Sequence, residues 1–153
     1  MEEIFNNIKA FLLEKVNPLV AEAAEEGLSM PQFSENFIIF GQVDLSRYQN
    51  KIIVSVLPEE QTEEPVENLD SYQQNSSFTI TFLCSGDTAE KLVKKMCRYS
   101  ECFRKAILSD PMMNETCNDS ALGDRMFYCD AGAVPGQMTA VEIGLTIFTS
   151  IEI

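Results

Sequence analysis

Residues 138–153 read MTAVEIGLTIFTSIEI, and this stretch decides the fold. Its apolar side chains recur at every second position, which is the period of a β-strand with one buried face. The residues on that face are Val141, Ile143, Leu145, Ile147, Ile151 and Ile153. Burial of one such aliphatic side chain contributes about 1.5–3 kcal/mol before the entropic cost of folding. The pattern therefore predicts a structural strand of the core over residues 138–153 and not a tail.

Four further segments have the composition of strands. Phe78, Ile80, Phe82 and Cys84 alternate with more polar residues, which predicts one buried face, and Ile52, Val54 and Val56 share a face in the same way. The four segments are FIIFGQV (37–43), KIIVSVLP (51–58), SSFTITFLCSG (76–86) and MFYCDAG (126–132).

The N-terminal segment has the three- and four-residue spacing of an amphipathic helix. Its apolar stripe consists of Ile4, Phe5, Ile8, Leu12 and Val16. Asn17-Pro18 predicts that the first helix ends here and that a second helix begins, because asparagine is a good N-cap and proline suits the first helical position. The second helix is expected to end at Gly27.

A longer helix is predicted from Asp87 to the residue before Pro111, with Glu90 completing a capping box. Its buried stripe is predicted to contain Leu92, Met96, Tyr99, Phe103 and Ile107. Residues 111–125 are expected to form a loop. Helices, three strands, a helix and two strands then follow one another along the chain. This order predicts an α+β fold in one domain, residues 1–153, with an antiparallel or mixed sheet of about five strands and helices packed on one face.

The run EEQTEEPVENLDSYQQN (59–75) lies between two predicted strands and contains no lysine or arginine. Connections longer than about 12–15 residues are uncommon in compact domains and are often functional or disordered. We expect a long acidic loop here. It is either a solvated mobile segment or a segment that contacts a partner, and a catalytic or metal-binding role is the least favoured reading. The candidate contact residues are Glu59, Glu60, Glu63, Glu64, Glu67 and Asp70.

The net charge of −13 restricts the classes of partner. Nucleic acids and anionic membranes are bound through clustered lysine and arginine, so neither sequence-specific nucleic acid binding nor membrane binding is expected. The densest basic cluster is Lys91, Lys94, Lys95 and Arg98, which we interpret as a solvated helix face. The N-terminal segment MEEIFNNIKAFLLEK lacks the basic and apolar regions of a signal peptide, which predicts that the protein stays in the cytosol.

The residues needed for common catalytic devices are missing. The chain has no histidine, and its seven glycines form no phosphate-binding loop. The five cysteines are expected to be reduced and to act as small buried hydrophobic side chains, because their spacing suits neither zinc nor paired disulfides. They are Cys84, Cys97, Cys102, Cys117 and Cys129. We therefore expect no enzyme activity, cofactor or metal.

The arrangement of the chain resembles the tail-terminator, or tail-completion, proteins of long-tailed bacteriophages. The similarity begins with the helix IFNNIKAFLLEK and continues with strands that flank a long variable loop. It includes the long helix DTAEKLVKKMCRYSECFRKAIL, followed by SDPMMNETC, which resembles the short Asp-Pro stretch that follows the main helix in that family. MFYCDAG and the alternating MTAVEIGLTIFTSIEI are the most family-like part. The family has no short binding motif, so no functional residue is transferred.

This resemblance implies a structural protein of the virion or of a phage-tail-like particle. Such proteins form a ring, usually a hexamer, on the last layer of the tail tube, where they stop tube growth and form the head-side joining surface. The implied partners are further copies of the chain, the tail-tube protein and the head–tail connector. The implied location is the host bacterial cytoplasm during assembly and then the tail.

Three alternatives remain open at this point. Two of them belong to the same class of structural proteins, namely a head–tail connector (neck) protein and a tail-tube subunit. The third, in a different class, is a small acidic adaptor that binds a protein partner.

Overall fold

The computed structural model describes residues 1–42, 52–66, 71–128 and 139–152 of the chain. In these residues the fold is α+β, with a five-stranded mixed sheet, an N-terminal helix, one long helix packed against the sheet and a C-terminal strand. The predicted fold class is confirmed.

The C-terminal strand lies inside the sheet. This strand, β5 (Thr139–Glu152), pairs antiparallel along its whole length with β3 (Ser71–Cys84), and its other edge pairs with β4 (Asp119–Tyr128). On the far side of β3 lies β2 (Ile53–Pro65), and β1 (Ile38–Phe40) pairs parallel with the start of β2. The strand order is therefore β1-β2-β3-β5-β4, and β4 and β1 are the two edges.

The predicted alternation accounts for the buried face of the sheet. Val141, Ile143, Leu145 and Ile147 of β5 are all at most 3% exposed, and Phe78, Ile80, Phe82 and Cys84 of β3 lie beside them. Ile151 is half-buried, and Ile153 lies outside the described residues. The opposite face is mainly polar, although Ile53 and Leu83 are buried where they face each other across β2 and β3.

The N-terminal helix continues through the predicted break. α1 (Glu2–Phe11) leads into a π-helical turn (Leu12–Val16) and then into α2 (Asn17–Ala23). Proline has no N–H for an intrahelical bond and its ring clashes with the preceding turn, and a wider π turn relieves both problems. The prediction of an Asn17 N-cap is therefore wrong. The predicted end at Gly27 is also wrong, since α2 ends at Ala23 and Gly27, with φ of 81°, lies in the following turn.

The long helix α3 (Ala89–Ser109) packs on the sheet with the predicted stripe, all of whose members are at most 3% exposed. Its N-cap is Thr88, whose side chain accepts a hydrogen bond from the Lys91 N–H, so the predicted start at Asp87 is one residue early. Asp110 and Pro111 end the helix as expected. The predicted loop 111–125 is wrong in its second half, because β4 begins at Asp119.

Candidate functional site

The acidic segment 59–75, apart from residues 66–70, belongs to two paired strands and not to a loop. Residues 59–65 belong to β2 and residues 71–75 belong to β3, and the two strands are in register from Glu60–Ser77 to Pro65–Tyr72. The composition of the segment does not predict this pairing, because glutamate, glutamine, asparagine and serine are typical of loops. The second half of β5 nevertheless needs hydrogen-bond partners for its backbone, and residues 71–77 supply them. We call residues 59–65 and 71–77 the arm.

Four of the six predicted contact residues lie on one strand of the arm. Glu59, Glu60, Glu63 and Glu64 are all exposed, whereas Glu67 and Asp70 lie outside the described residues. Within the part of the chain that the structure describes, none of the four carboxylates forms an ion pair.

A bulge between Pro58 and Glu60 sets the direction of these side chains. The carboxylate of Glu59 accepts a hydrogen bond of 2.8 Å from the Thr79 hydroxyl, on the polar face of the sheet. Glu60 and Glu64 lie opposite Ser77 and Gln73, and they share that face because neighbouring residues of a strand alternate sides, so residues four apart lie on the same side. Glu63, opposite Gln74, points to the helical side. The arm therefore carries fixed carboxylates on both faces.

The free edge of the arm is protected against strand addition. β1 pairs only with residues 54–56 of β2, so the described structure places no strand beside residues 57–65. The Val56 carbonyl accepts a hydrogen bond from Gly41 on this edge, and two residues later the ring nitrogen of Pro58 faces the same way. The Val66 N–H bonds inward to Ser71, so the nitrogen of Pro65 faces outward. Prolines and charges are the usual means of blocking an exposed edge.

The opposite edge of the sheet is blocked less completely, by a bulge and by charged residues that precede Met126. β4 contains no proline, and three successive large side chains near its end are exposed, namely Met126 (57%), Phe127 (40%) and Tyr128 (47%). The Tyr128 hydroxyl lies 2.9 Å from the Met126 sulfur and 3.2 Å from a Glu142 carboxylate oxygen. Partial desolvation, with the Glu142 contact, raises the pKa of Tyr128. The sequence predicts a strand here but does not indicate that it is an edge.

Two arginines lie between this edge and α3. Arg125 of β4 donates to the Glu101 carboxylate at 3.1 Å and to the Ser100 hydroxyl at 3.2 Å. Arg104 lies 3.8 Å from the same carboxylate. Two guanidinium groups therefore share one carboxylate, and the β4 edge is much less acidic than the arm.

The basic cluster on α3 is only partly a solvated face. Lys91 and Lys94 are exposed, but Lys95 is buried and pairs with Asp87 at 3.0 Å. Arg98 donates to the Ala23 carbonyl at 2.7 Å and pairs with Glu25, so it fastens α3 to the end of α2. The predicted solvated face is therefore limited to Lys91 and Lys94.

The described cysteines are free thiols in three buried sites and one exposed site. Cys84, Cys102 and Cys117 are buried as predicted, and burial raises the pKa of each thiol. Cys97 is exposed, which contradicts the prediction, and Cys129 lies outside the described residues. Over residues 1–42, 52–66, 71–128 and 139–152, no three acidic or cysteine side chains are grouped as metal ligands.

None of the described helices is long and apolar enough to span a membrane. No protein-family model matches the chain, and no curated protein shows significant sequence similarity to it.

Proposed function

We propose that this protein is a structural assembly factor that caps a tail tube as a ring of identical copies. In this role it stops growth of the tube and forms the surface that joins the head side. The observation that carries the proposal is the difference between the two ends of the sheet. One end is the acidic, proline-protected arm, and the other is the β4 edge, which contains no proline and exposes apolar side chains near its end.

Unlike ends favour a particular geometry of association. Two arms repel each other through their carboxylates, so a two-fold contact between arms is unfavourable. Contacts that join unlike surfaces are heterologous, and they form a ring when the rotation between copies closes. The β4 edge supplies backbone donors and acceptors together with Met126, Phe127 and Tyr128. We therefore assign one side of the contact between copies to β4.

The acidic arm suits a channel through which DNA moves. A lining of fixed carboxylates repels phosphate and keeps the duplex from adhering. The Glu59 carboxylate is held by the Thr79 hydroxyl, and Glu64 extends from a hydrogen-bonded strand whose backbone position is fixed. Within the ring we place the arm toward the channel or the adjacent tube layer.

Native mass spectrometry of the purified protein tests the ring. We expect a closed oligomer, with a hexamer as the leading stoichiometry, and we expect Phe127→Lys to yield monomers. Leu108→Lys is the matched control, because Leu108 is 64% exposed on α3 and outside β4. A ring that survives Phe127→Lys would remove β4 from the interface, and a wild-type monomer at high concentration would contradict self-assembly.

Electron microscopy of particles from a strain that lacks the gene tests the capping role. Overlong tubes are the expected result. Tails of normal length with unattached heads would assign the protein to the connector, and loss of tubes altogether would assign it to the tube subunit.

One observation also favours the second class of function, a small acidic adaptor. Proteins that mimic nucleic acid need carboxylates on a fixed surface, and Glu59, Glu60 and Glu64 occupy one face of a paired strand. Competition with duplex DNA for a basic protein, abolished by Glu60→Gln with Glu64→Gln, would support the adaptor. Ring formation without such competition would exclude it.

A further inference from the structure

A groove of about 450 Å³ lies on the helical side of the sheet, between α1, the arm and the turn that follows α3. This volume is in the range of clefts that hold ligands or short peptide segments. Its lining combines apolar and polar side chains from these three elements and from the end of β5. The residues that matter for its chemistry are Glu3, Ile4, Gln74, Met112, Glu115 and Ile151.

The outer wall of the groove is an unusual turn. Met113, Asn114 and Glu115 have φ of 50°, 61° and 61°, so three successive residues other than glycine are left-handed. Each such residue costs about 1–2 kcal/mol. The Met112 carbonyl accepts from the Thr116 N–H at 3.0 Å, and the Asp110 carboxylate accepts from the Asn114 N–H at 2.8 Å, which holds the turn closed.

The turn places two side chains in opposite environments. Met113 is 1% exposed and anchors the turn in the core, whereas Met112 is 46% exposed and lines the groove. A methionine at a docking surface adapts its shape to the side chains that it meets. The left-handed turn therefore holds the flexible apolar side chain of Met112 at the groove.

The charge of the groove is acidic without compensation. Glu3 and Glu115 line it, and no lysine or arginine does so among the lining residues that the structure describes. Glu63 stands opposite Gln74 on the same side of the arm, so the acidic surface continues from the groove onto the arm. A lining that combines carboxylates with apolar side chains fits a cation beside an aliphatic side chain.

We propose that this groove binds an extended segment of a partner protein in which a lysine or arginine lies next to an aliphatic residue. The aliphatic side chain contacts Ile4, Met112 and Ile151, and the cation lies between Glu3 and Glu115. If the proposed function is right, this segment belongs to the tail-tube subunit. That assignment rests on the proposed function, whereas the preference for a cation beside an aliphatic side chain follows from the groove alone.

Methyl NMR of protein labelled at the methionine methyl groups tests the proposal. The probe is a capped hexapeptide of alternating leucine and lysine. We expect saturable shifts of the Met112 signal and no comparable shift at Met126, which is exposed on the β4 edge. A shift at Met126 alone, or no saturable shift, would overturn the proposal. A matching peptide of leucine and glutamate is expected not to bind.

A pair of matched variants separates the groove from the general acidity of the protein. Glu3→Gln with Glu115→Gln removes two charges from the groove, and Glu60→Gln with Glu64→Gln removes two charges from the other face of the arm. We expect Kd to weaken about tenfold in the first variant and less than about twofold in the second. Equal weakening in both would show that the peptide responds only to net charge.

The outcome is independent of ring formation. Saturable binding at Met112 by a protein that native mass spectrometry finds monomeric would support the groove and contradict the ring. If the protein forms a ring but its Met112 signal does not respond to the peptide, the proposal of peptide binding in the groove is contradicted and the proposal of a ring is not.

Discussion

Asn17 holds the backbone of Phe33 through both ends of its side-chain amide. Its Oδ1 accepts from the Phe33 N–H at 2.6 Å, and its Nδ2 donates to the Phe33 carbonyl at 3.0 Å. Both residues are buried, and the Phe33 ring stacks on Phe82 with centroids 5.5 Å apart. This pair of hydrogen bonds attaches the irregular segment before β1 to the helical layer, so the covering of the sheet depends on it.

Replacement of Asn17 by alanine should destabilise the protein strongly. It leaves a buried N–H and a buried carbonyl without partners, and each such group costs about 1–3 kcal/mol. We expect a loss of about 2–4 kcal/mol in the free energy of unfolding, measured with urea. Asn6→Ala, on the exposed side of α1, is the control and should change stability little. An equal effect at both positions would contradict this role.

The ion pair of Lys95 and Asp87 should make stability depend on acidic pH. Lys95 is 6% exposed, and its hydrogen bond to Asp87, with a second from the Thr88 N–H, lowers the pKa of the Asp87 carboxyl. Because the pKa of Asp87 is lower in the folded state, the ion pair contributes its full stability at pH values above the pKa of the unfolded state, which is about 4. This contribution is lost as the pH falls through the pKa of the folded state.

Asp87→Asn should therefore lower stability by about 1–3 kcal/mol at neutral pH, with a difference from wild type that shrinks below about pH 4. Denaturant unfolding at several pH values measures this. Glu90→Gln removes the exposed partner of Lys94 and should cost less than about 0.5 kcal/mol. A difference that stays constant down to pH 2 would argue against the ion pair as its cause.

Tyr99 should make the protein sensitive to alkali. Its ring is fully buried and its hydroxyl donates to the Pro31 carbonyl, and burial raises the pKa of the phenol far above its ordinary value. The folded state keeps the proton longer than the unfolded state, so stability should fall as pH rises above about 10. Tyr99→Phe should lose about 1 kcal/mol at neutral pH and show a shallower alkaline slope. An unchanged slope would assign the alkaline effect to other groups.

A side chain at Gly123 should crowd the backbone of Gly144 where β4 and β5 approach closely. A Cβ at Gly144 would lie 3.4 Å from the Gly123 Cα, and the reverse distance is 3.3 Å. Because the neighbour in each case is backbone at a bulge, it has little freedom to move. Gly123→Ala should cost about 1–3 kcal/mol and increase amide exchange in β4, whereas Gly144→Ala, whose new contact has an ordinary length, should cost less. Faster exchange confined to β2 would contradict this account.

Pro58 and Pro65 should keep the arm from pairing with other chains. Replacing both by threonine restores outward N–H donors on the free edge of β2. We expect concentration-dependent association, or aggregation, in analytical ultracentrifugation. The same replacement combined with Glu63→Lys should be soluble again, since a lysine also blocks an edge. A soluble double-threonine variant with unchanged mass would show that the carboxylates suffice.

The spacing of apolar residues along the chain was enough to predict most of the fold. The alternation in β5 and the stripe in α3 predicted the two elements around which the core forms, because each pattern has only one arrangement that buries its apolar face. The α+β class and the approximate strand number followed from their order. The position of the acidic run was also visible in the sequence, since a charged run without counterions can be recognised without a structure.

The sequence by itself therefore determined which faces are buried and where the charge lies. Only the tertiary structure decided that residues 59–65 and 71–75 are strands, since the length of β5 supplies the hydrogen-bond partners that override their loop-like composition. Tertiary contacts also decided that Asn17 binds Phe33 rather than capping a helix. The exposed β4 edge and the groove beside Met112 likewise depend on which strand ends the sheet and how α1 crosses it, and no local pattern encodes those long-range choices.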